Sequence, residues 1–221
     1  MQLNELVIAI DGPAGAGKST VAKQLAQTLG IRYLDTGAMY RGLALAAQRA
    51  GLGPQDGERA AEILHNLELD FGPGTPPRLM LNGEDVSGLI RTLEIGDLAS
   101  SLSTFPQVRQ EMVRRQQAMV AKGGCILEGR DVTTVVAPNA HVKVYLTASL
   151  EERARRRAIE LGQEMEYLEV RQQIEHRDHR DINRSESPLT VAPGAAVIDS
   201  ANLPIDQVVE RILELCRKVT A

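Results

Sequence analysis

Apolar and polar residues change period repeatedly along this chain, and each change marks an element. Residues 6–10 form a short continuous apolar run, the form of a strand buried on both faces. From Lys18 the period becomes helical. Val21, Leu25 and Leu29 fall on one stripe with Ala22 and Ala26 beside it, and Gly30 ends it. Residues 31–35 read as a second strand, 38–50 as a helix closed by Gly51, and 108–121 as a helix broken at Gly123 and Gly124. Residues 125–127, 141–146 and 196–198 supply three more strands. Ser149 and Glu152 have capping-box spacing at the head of a long helical stretch. Ile205, Val208, Val209, Ile212, Leu213 and Val219 mark an amphipathic last helix. Strands that alternate with helices pair in parallel, so the expected fold class is α/β, layered on a five-stranded parallel sheet.

One segment breaks the alternation. Leu67, Leu69 and Phe71 alternate with Glu68 and Asp70, the period of a half-exposed strand. Pro73, Gly74, Pro76 and Pro77 make a turn, residues 79–81 follow, and Asn82-Gly83 is a hairpin signal. With residues 84–90 as a third strand, the segment 65–92 reads as a small antiparallel β insertion.

Composition narrows the class. The chain has 221 residues, enough for one core with an inserted subdomain, and no apolar run approaches the length of a membrane span. Residues 1–5 lack the basic and apolar parts of a secretory signal. The net charge of −4 argues against a general nucleic-acid binder, which carries a basic footprint. Cys125 and Cys216 stand far apart in no metal-binding spacing, as expected of thiols in a reducing cytoplasm, and the four histidines offer no ligand spacing either. Twenty of the 25 basic residues are arginine, so abundance proves nothing and position must carry any claim.

After the first strand the chain reads Asp11, Gly12, Pro13, Ala14, Gly15, Ala16, Gly17, Lys18, Ser19, Thr20. Gly12-x4-Gly17-Lys18-Ser19 is a P-loop pattern, in the strand–turn–helix context the motif requires. Glycines let backbone N–H groups turn toward phosphate oxygens, and the helix start adds its positive dipole end. Lys18 should reach the β- and γ-phosphates, and Ser19 should offer its hydroxyl to Mg2+. The expected architecture is thus a three-layer P-loop fold that holds a nucleoside triphosphate.

A phosphotransferase, a regulatory NTPase and a non-catalytic nucleotide module all remain compatible with a P-loop. N-K-x-D, L-S-G-G-Q and an apolar run ending in Asp-Glu are absent, which disfavours the second. The other strand ends disfavour the third. Thr36 and Arg41 follow strand two, and Arg130 and Asp131 follow strand three; ligands of parallel sheets bind at such carboxyl ends. Two guanidinium forks there suit a second phosphate. On the long helix Arg153, Arg156 and Arg157 share one face, able to meet a triphosphate or to pair with Glu151, Glu152 and Glu160. Residues 176–184 alternate in charge, compatible with a ligand site or an ion-pair network.

The ordered set D-G-P-A-G-A-G-K-S-T, L-D-T-G-A-M-Y-R, G-E-D-V-S-G-L-I-R, F-P-Q-V-R, E-G-R-D and H-R-D-H-R-D-I-N-R resembles the bacterial cytidylate kinases, across residues 8–199. The resemblance implies one P-loop kinase domain over 1–221, with a nucleoside-monophosphate-binding insertion near 65–92 and a helical lid near 149–184. It implies ATP as donor with Mg2+, CMP or dCMP as acceptor, ADP and CDP or dCDP as products, no membrane or nucleic-acid partner, and a cytoplasmic monomer. Carried over by motif, Gly12 to Thr20 hold the ATP phosphates, while Thr36, Ser100, Arg109, Arg130, Asp131, Arg177, Asp181 and Arg184 line the CMP site, with Arg41 on its phosphate. Lys18, Arg130, Arg153 and Arg157 are the expected catalytic charges. Asp131, Thr36 and Arg109 would read the base, a carboxylate accepting from cytosine's amino group. The chain departs from the pattern at Thr36, where serine is also common, and at Ser19, where some relatives carry glycine; Ser19 and Thr20 thus both stand as metal candidates. Another small P-loop kinase, acting on a different monophosphate or a hydroxylated metabolite, is the alternative enzyme.

Overall fold

Strand β1 (Val7–Asp11) is buried except at its first residue because it lies in mid-sheet. It pairs in parallel with β6 (Cys125–Gly129) on one side and β7 (Val142–Thr147) on the other, placing Ile10 beside both Glu128 and Val144. In this computed structural model, which describes residues 2–162 and 166–220, β2 (Arg32–Asp35) and β8 (Ala196–Asp199) complete a five-stranded sheet in the order β2-β6-β1-β7-β8. Ile8 and Ile10 join Val21, Ala22 and Leu25 of α1 (Lys18–Leu29) and Val208, Val209 and Ile212 of α8 (Ile205–Thr220) in one apolar core. Burying a side chain of that size contributes about 1.5–3 kcal/mol, so this layer fixes where β1 ends and the next turn begins.

The chain divides into two compact units, Met1–Leu34 with Met119–Ala221, and Asp35–Ala118. The first also carries α6 (Leu150–Leu161) and α7 (Tyr167–Asn183), the arginine-rich stretch expected as a lid at 149–184, of which residues 163–165 lie outside the described residues. Ser149 accepts a bond from Glu152 N at 3.3 Å, as the capping-box spacing predicts.

The second unit holds α2 (Thr36–Arg49), α3 (Gly57–Asn66), the antiparallel strands β3 (Leu69–Gly72), β4 (Arg78–Leu81) and β5 (Glu84–Asp85), α4 (Leu93–Leu102) and α5 (Pro106–Val120). Leu69 pairs with Leu81 and Phe71 with Leu79. Asn82 and Gly83 take positive φ of 48° and 82°, the conformation a tight hairpin demands. The third strand is shorter than the expected 84–90. The Ser87 hydroxyl accepts from Leu79 N at 2.9 Å, and a 3-10 turn occupies Leu89–Arg91. Helices α3 and α4 were not anticipated. Thr92 caps α4 by accepting from Ile95 N, and the Arg115 guanidinium closes α3 by donating to Leu64 O and Leu67 O, both at 2.6 Å.

Candidate functional site

Between β1 and α1 the backbone doubles back through positions where a side chain has no room. A Cβ on Gly12 would stand 1.9 Å from Leu146 O, and one on Gly15, at φ 75°, would stand 2.7 Å from Arg153 O. The turn therefore lies flat against β7 and the head of α6, with the N-terminus of α1 opening from Gly17. Lys18 is buried, and its ammonium donates to Gly12 O and Pro13 O, both at 2.7 Å. Burial, with the Arg130 charge beside it, lowers its pKa to about 7, against the opposing pull of Glu128 and Asp11. Such an ammonium is short of negative charge, and a phosphate would restore it.

Next to this turn stands the end of β6. Glu128 is buried and accepts from the Tyr33 hydroxyl, which lets the strand run on through a carboxylate to Gly129. Arg130 Nε donates to Asp181 Oδ2 at 2.9 Å, and Arg184 lies 3.6 Å from Asp131. Both contacts join the end of β6 to α7 and its C-cap. Burial pushes the Asp181 carboxyl up, but Arg130, Arg177 and Arg184 outweigh it and hold it below the usual carboxylate range. Four of the expected acceptor residues, Arg130, Arg177, Asp181 and Arg184, therefore share one electrostatic cluster, with Asp131 against Arg184. Asp11 closes β1 by accepting from Val132 N at 3.0 Å, Thr133 N at 2.8 Å and Thr133 Oγ1 at 2.5 Å. It anchors the turn that follows Asp131 to the strand that carries the P-loop.

The arginines of α6 part company. Arg155 is exposed and pairs with Glu152 at 2.9 Å. Arg156 bonds Glu152, Ser200 Oγ and Ser200 O, and Ser200 Oγ in turn donates to Ala16 O at 3.0 Å. Arg157 pairs with Glu160 at 2.9 Å. Arg153, expected as a charge on the transferred phosphoryl group, is buried and donates to Ala148 O, Ala14 O and Asp178. These protein acceptors hold its guanidinium against the P-loop backbone. A cleft of about 550 Å3, lined by Ser149, Glu152, Arg155, Tyr167, Asp199 and Ala201, opens beside Ser200.

The remaining expected residues belong to the second unit. Thr36 is buried at the first turn of α2. Asp35 caps that helix by accepting from Ala38 N at 2.7 Å, and its other oxygen accepts from Arg41 at 3.0 Å. Arg109 is buried, with its guanidinium carbon 5.9 Å from the centre of the Tyr40 ring. Ser100 is buried on α4, and its hydroxyl has no hydrogen-bond partner among the described residues. Sequence reasoning passed over Tyr40, Asp178 and Asp11. Asp178 stood three residues before Asp181, on the same helix face, and that spacing was its visible signal.

Comparison with known proteins decides the family. The family model described as cytidylate kinase matches residues 8–218. The chain belongs to the cytidylate kinase family. It is similar to a cytidylate kinase of Citrifermentans bemidjiense, 49% identical over 94% of this chain and 91% of the relative. A bifunctional pantoate ligase/cytidylate kinase of a Synechococcus species is 46% identical over 96% of this chain, and there the match spans only 43% of the relative's length. Among solved structures, a gluconokinase from Sinorhizobium meliloti covers 98% of this chain and 94% of its own at TM-score 0.54, with 12% identity, a likeness of fold alone. This chain carries its P-loop pattern, residues 12–19, inside the matched region. Among the described residues no helix is long and apolar enough to cross a membrane, and no group of three or more His, Cys, Asp or Glu could hold a metal ion.

Proposed function

We propose how this ATP-dependent phosphotransferase divides the transfer of a γ-phosphoryl group to CMP or dCMP among its residues. The observation that carries the reading is the buried Lys18 cradle beside the cluster of Arg130, Arg177 and Arg184, within a family match over nearly the whole chain. Residues 12–20 receive the triphosphate of ATP, with the N–H groups from Gly15 onward and the α1 dipole facing the anion. The base of ATP takes the cleft at Arg155 and Ala201, which gives it a guanidinium plane and an aliphatic surface.

Mg2+ fits the donors present. A half-buried Ser19 hydroxyl at the α1 start, with phosphate oxygens and water, meets a hard cation that binds oxygen and keeps part of its hydration; Thr20 is exposed, so Ser19 is the ligand chosen. When bound, the ion supplies positive charge to the phosphate oxygens.

The acceptor's phosphate is met by Arg130, Arg184 and Arg41, and its base by Asp131, Thr36 and Arg109, with Ser100, Arg177 and Asp181 near the sugar. The CMP phosphate is already an anionic nucleophile, so the protein's task is in-line placement and charge neutralisation. Arg157, paired with Glu160 at 2.9 Å on α6, joins the donor phosphates. Closure of the lid at 149–184 and of the monophosphate-binding insertion at 65–92 excludes water as a competing acceptor. The enzyme works as a cytoplasmic monomer; two buried, unpaired thiols suit a reducing compartment.

The test is ADP release from ATP with CMP, dCMP, UMP, AMP, GMP and shikimate supplied separately. CMP and dCMP should stand at least ten-fold above the others. Equal turnover with UMP would remove Asp131 from the base, and turnover with shikimate alone would overturn the reading.

A further inference from the structure

Ala14 lies inside the P-loop, yet both of its backbone polar groups are held by side chains from far along the chain. Its N–H donates to Asp178 Oδ1 at 3.1 Å, and its carbonyl accepts from Arg153 Nη1 at 3.0 Å. Arg153 Nη1 also donates to Asp178 Oδ2, so the three residues close a ring. Arg153 Nε is committed to Ala148 O at 3.0 Å, which fixes the guanidinium plane at the root of α6. Both charged side chains are buried, Arg153 at 8% and Asp178 at 7% exposure. The missing side chain of Gly15 lets the Arg153 backbone come this close.

From this geometry we infer that Arg153 and Asp178 are positioning residues for the donor nucleotide, acting through Ala14. The ring satisfies both polar groups of a peptide inside a turn, as a neighbouring β-strand would within a sheet. It removes the Ala14 N–H from the set available to phosphate, so the cradle begins at Gly15, and it fixes the plane of the peptide from which the next N–H groups fan out. A carboxylate and a guanidinium are required together. The aspartate alone would bring an unpaired charge next to a phosphate site, and the arginine alone would leave the Ala14 N–H unmatched.

The inference rests on ATP binding at residues 12–20, and the experiment separates the two. ATP and CMP affinities are measured by calorimetry in separate binary complexes for the wild type, Asp178→Asn, Asp178→Ala and Arg153→Met/Asp178→Leu. The double variant replaces the buried pair by apolar side chains of similar size, an exchange that leaves folds intact. It removes both partners of Ala14, so ATP should bind about ten-fold more weakly, from the net worth of two hydrogen bonds. CMP affinity should stay within about two-fold. Asp178→Asn keeps an acceptor for the Ala14 N–H and should recover part of the ATP affinity that Asp178→Ala loses. If Asp178→Ala does not fold, the double variant and Asp178→Asn decide. ATP affinity unchanged in the folded double variant, or ATP and CMP affinities falling in parallel, would overturn the inference while leaving the kinase reading in place. A wild type that does not bind ATP would overturn both.

Discussion

Lys18 offers a quantitative test, because its ammonium is buried with no carboxylate bonded to it among the described residues. Burial and the charges of Arg130 and Arg177 lower its pKa to about 7, while Glu128 and Asp11 pull the other way. A triphosphate against the ammonium supplies several negative charges and should restore the pKa toward its ordinary value of about 10.4. The depressed group is therefore largely neutral in the empty enzyme above pH 7 and charged in the complex, so binding must take up a proton. At pH 8 the empty enzyme holds about 0.1 proton at this site and the complex about 1, an uptake of about 0.9 per ATP that falls to about 0.1 at pH 6. The same linkage weakens ATP binding by about five-fold from pH 7 to pH 8, and about fifty-fold from pH 7 to pH 9.

The assay is titration calorimetry at pH 8 with Mg2+ in excess, so that the nucleotide is fully ionised before and after binding. Repeating it in buffers of different ionisation enthalpy gives the proton number as a slope. Lys18→Arg supplies the control, since a guanidinium stays charged throughout and its slope should vanish. A wild-type slope below about 0.2, or a dissociation constant that does not change between pH 7 and pH 9, would refute the account of Lys18 as a desolvated cation awaiting phosphate.

Four further outcomes follow from the same structure. Asp131→Asn should cut the use of CMP by about one to two decades, through a buried mismatch of about 1–3 kcal/mol, and leave the KM for ATP within two-fold; equal effects on both nucleotides would move Asp131 off the base. Gly57→Ala gains about 1 kcal/mol of helix propensity, but its Cβ would meet three Phe105 ring carbons at 2.0–2.2 Å. Overpacking of about 1–3 kcal/mol should win and lower Tm, with Phe105→Leu recovering it; an unchanged or higher Tm would contradict the contact. Asp181 carries a depressed pKa, so its contribution to stability is present above the unfolded value of about 3.9 and is lost as pH falls through the lower folded value. Asp181→Asn should therefore flatten the acid limb of a Tm–pH curve, and an unaltered limb would count against the cluster. ATP hydrolysis without CMP should be far slower than CMP-dependent ADP release, and comparable rates would show that water reaches the cradle.

The parts that were legible in sequence are those that local physics dictates. The run at 6–10, the stripe of Val21, Leu25 and Leu29, and Asn82-Gly83 each require one conformation whatever lies elsewhere, and β1, α1 and the β4–β5 hairpin follow them closely. Helix α4 was missed although its signal was present: Ile95, Leu98, Ala99 and Leu102 keep a one-faced helical period and are all buried, while Glu94 and Asp97 stay exposed. The third strand of the insertion stopped at Asp85 because the Ser87 side chain took the place of a ladder bond, and a serine hydroxyl gives no such notice in sequence.

The arginines show the deeper limit. Periodicity correctly groups Arg153, Arg156 and Arg157 on one side of a helix, but a cation's task is set by the acceptors it meets, and those come from elsewhere in the chain. Arg153 meets Ala14 and Asp178, Arg156 meets Ser200, and Arg157 pairs with Glu160 one turn away. Three residues alike in type and placement are thus a brace for the P-loop, a tie to the β8–α8 turn and one half of an ion pair within α6. Position on a helix face therefore predicts which side chains share a neighbourhood and says nothing of which acceptors they meet there.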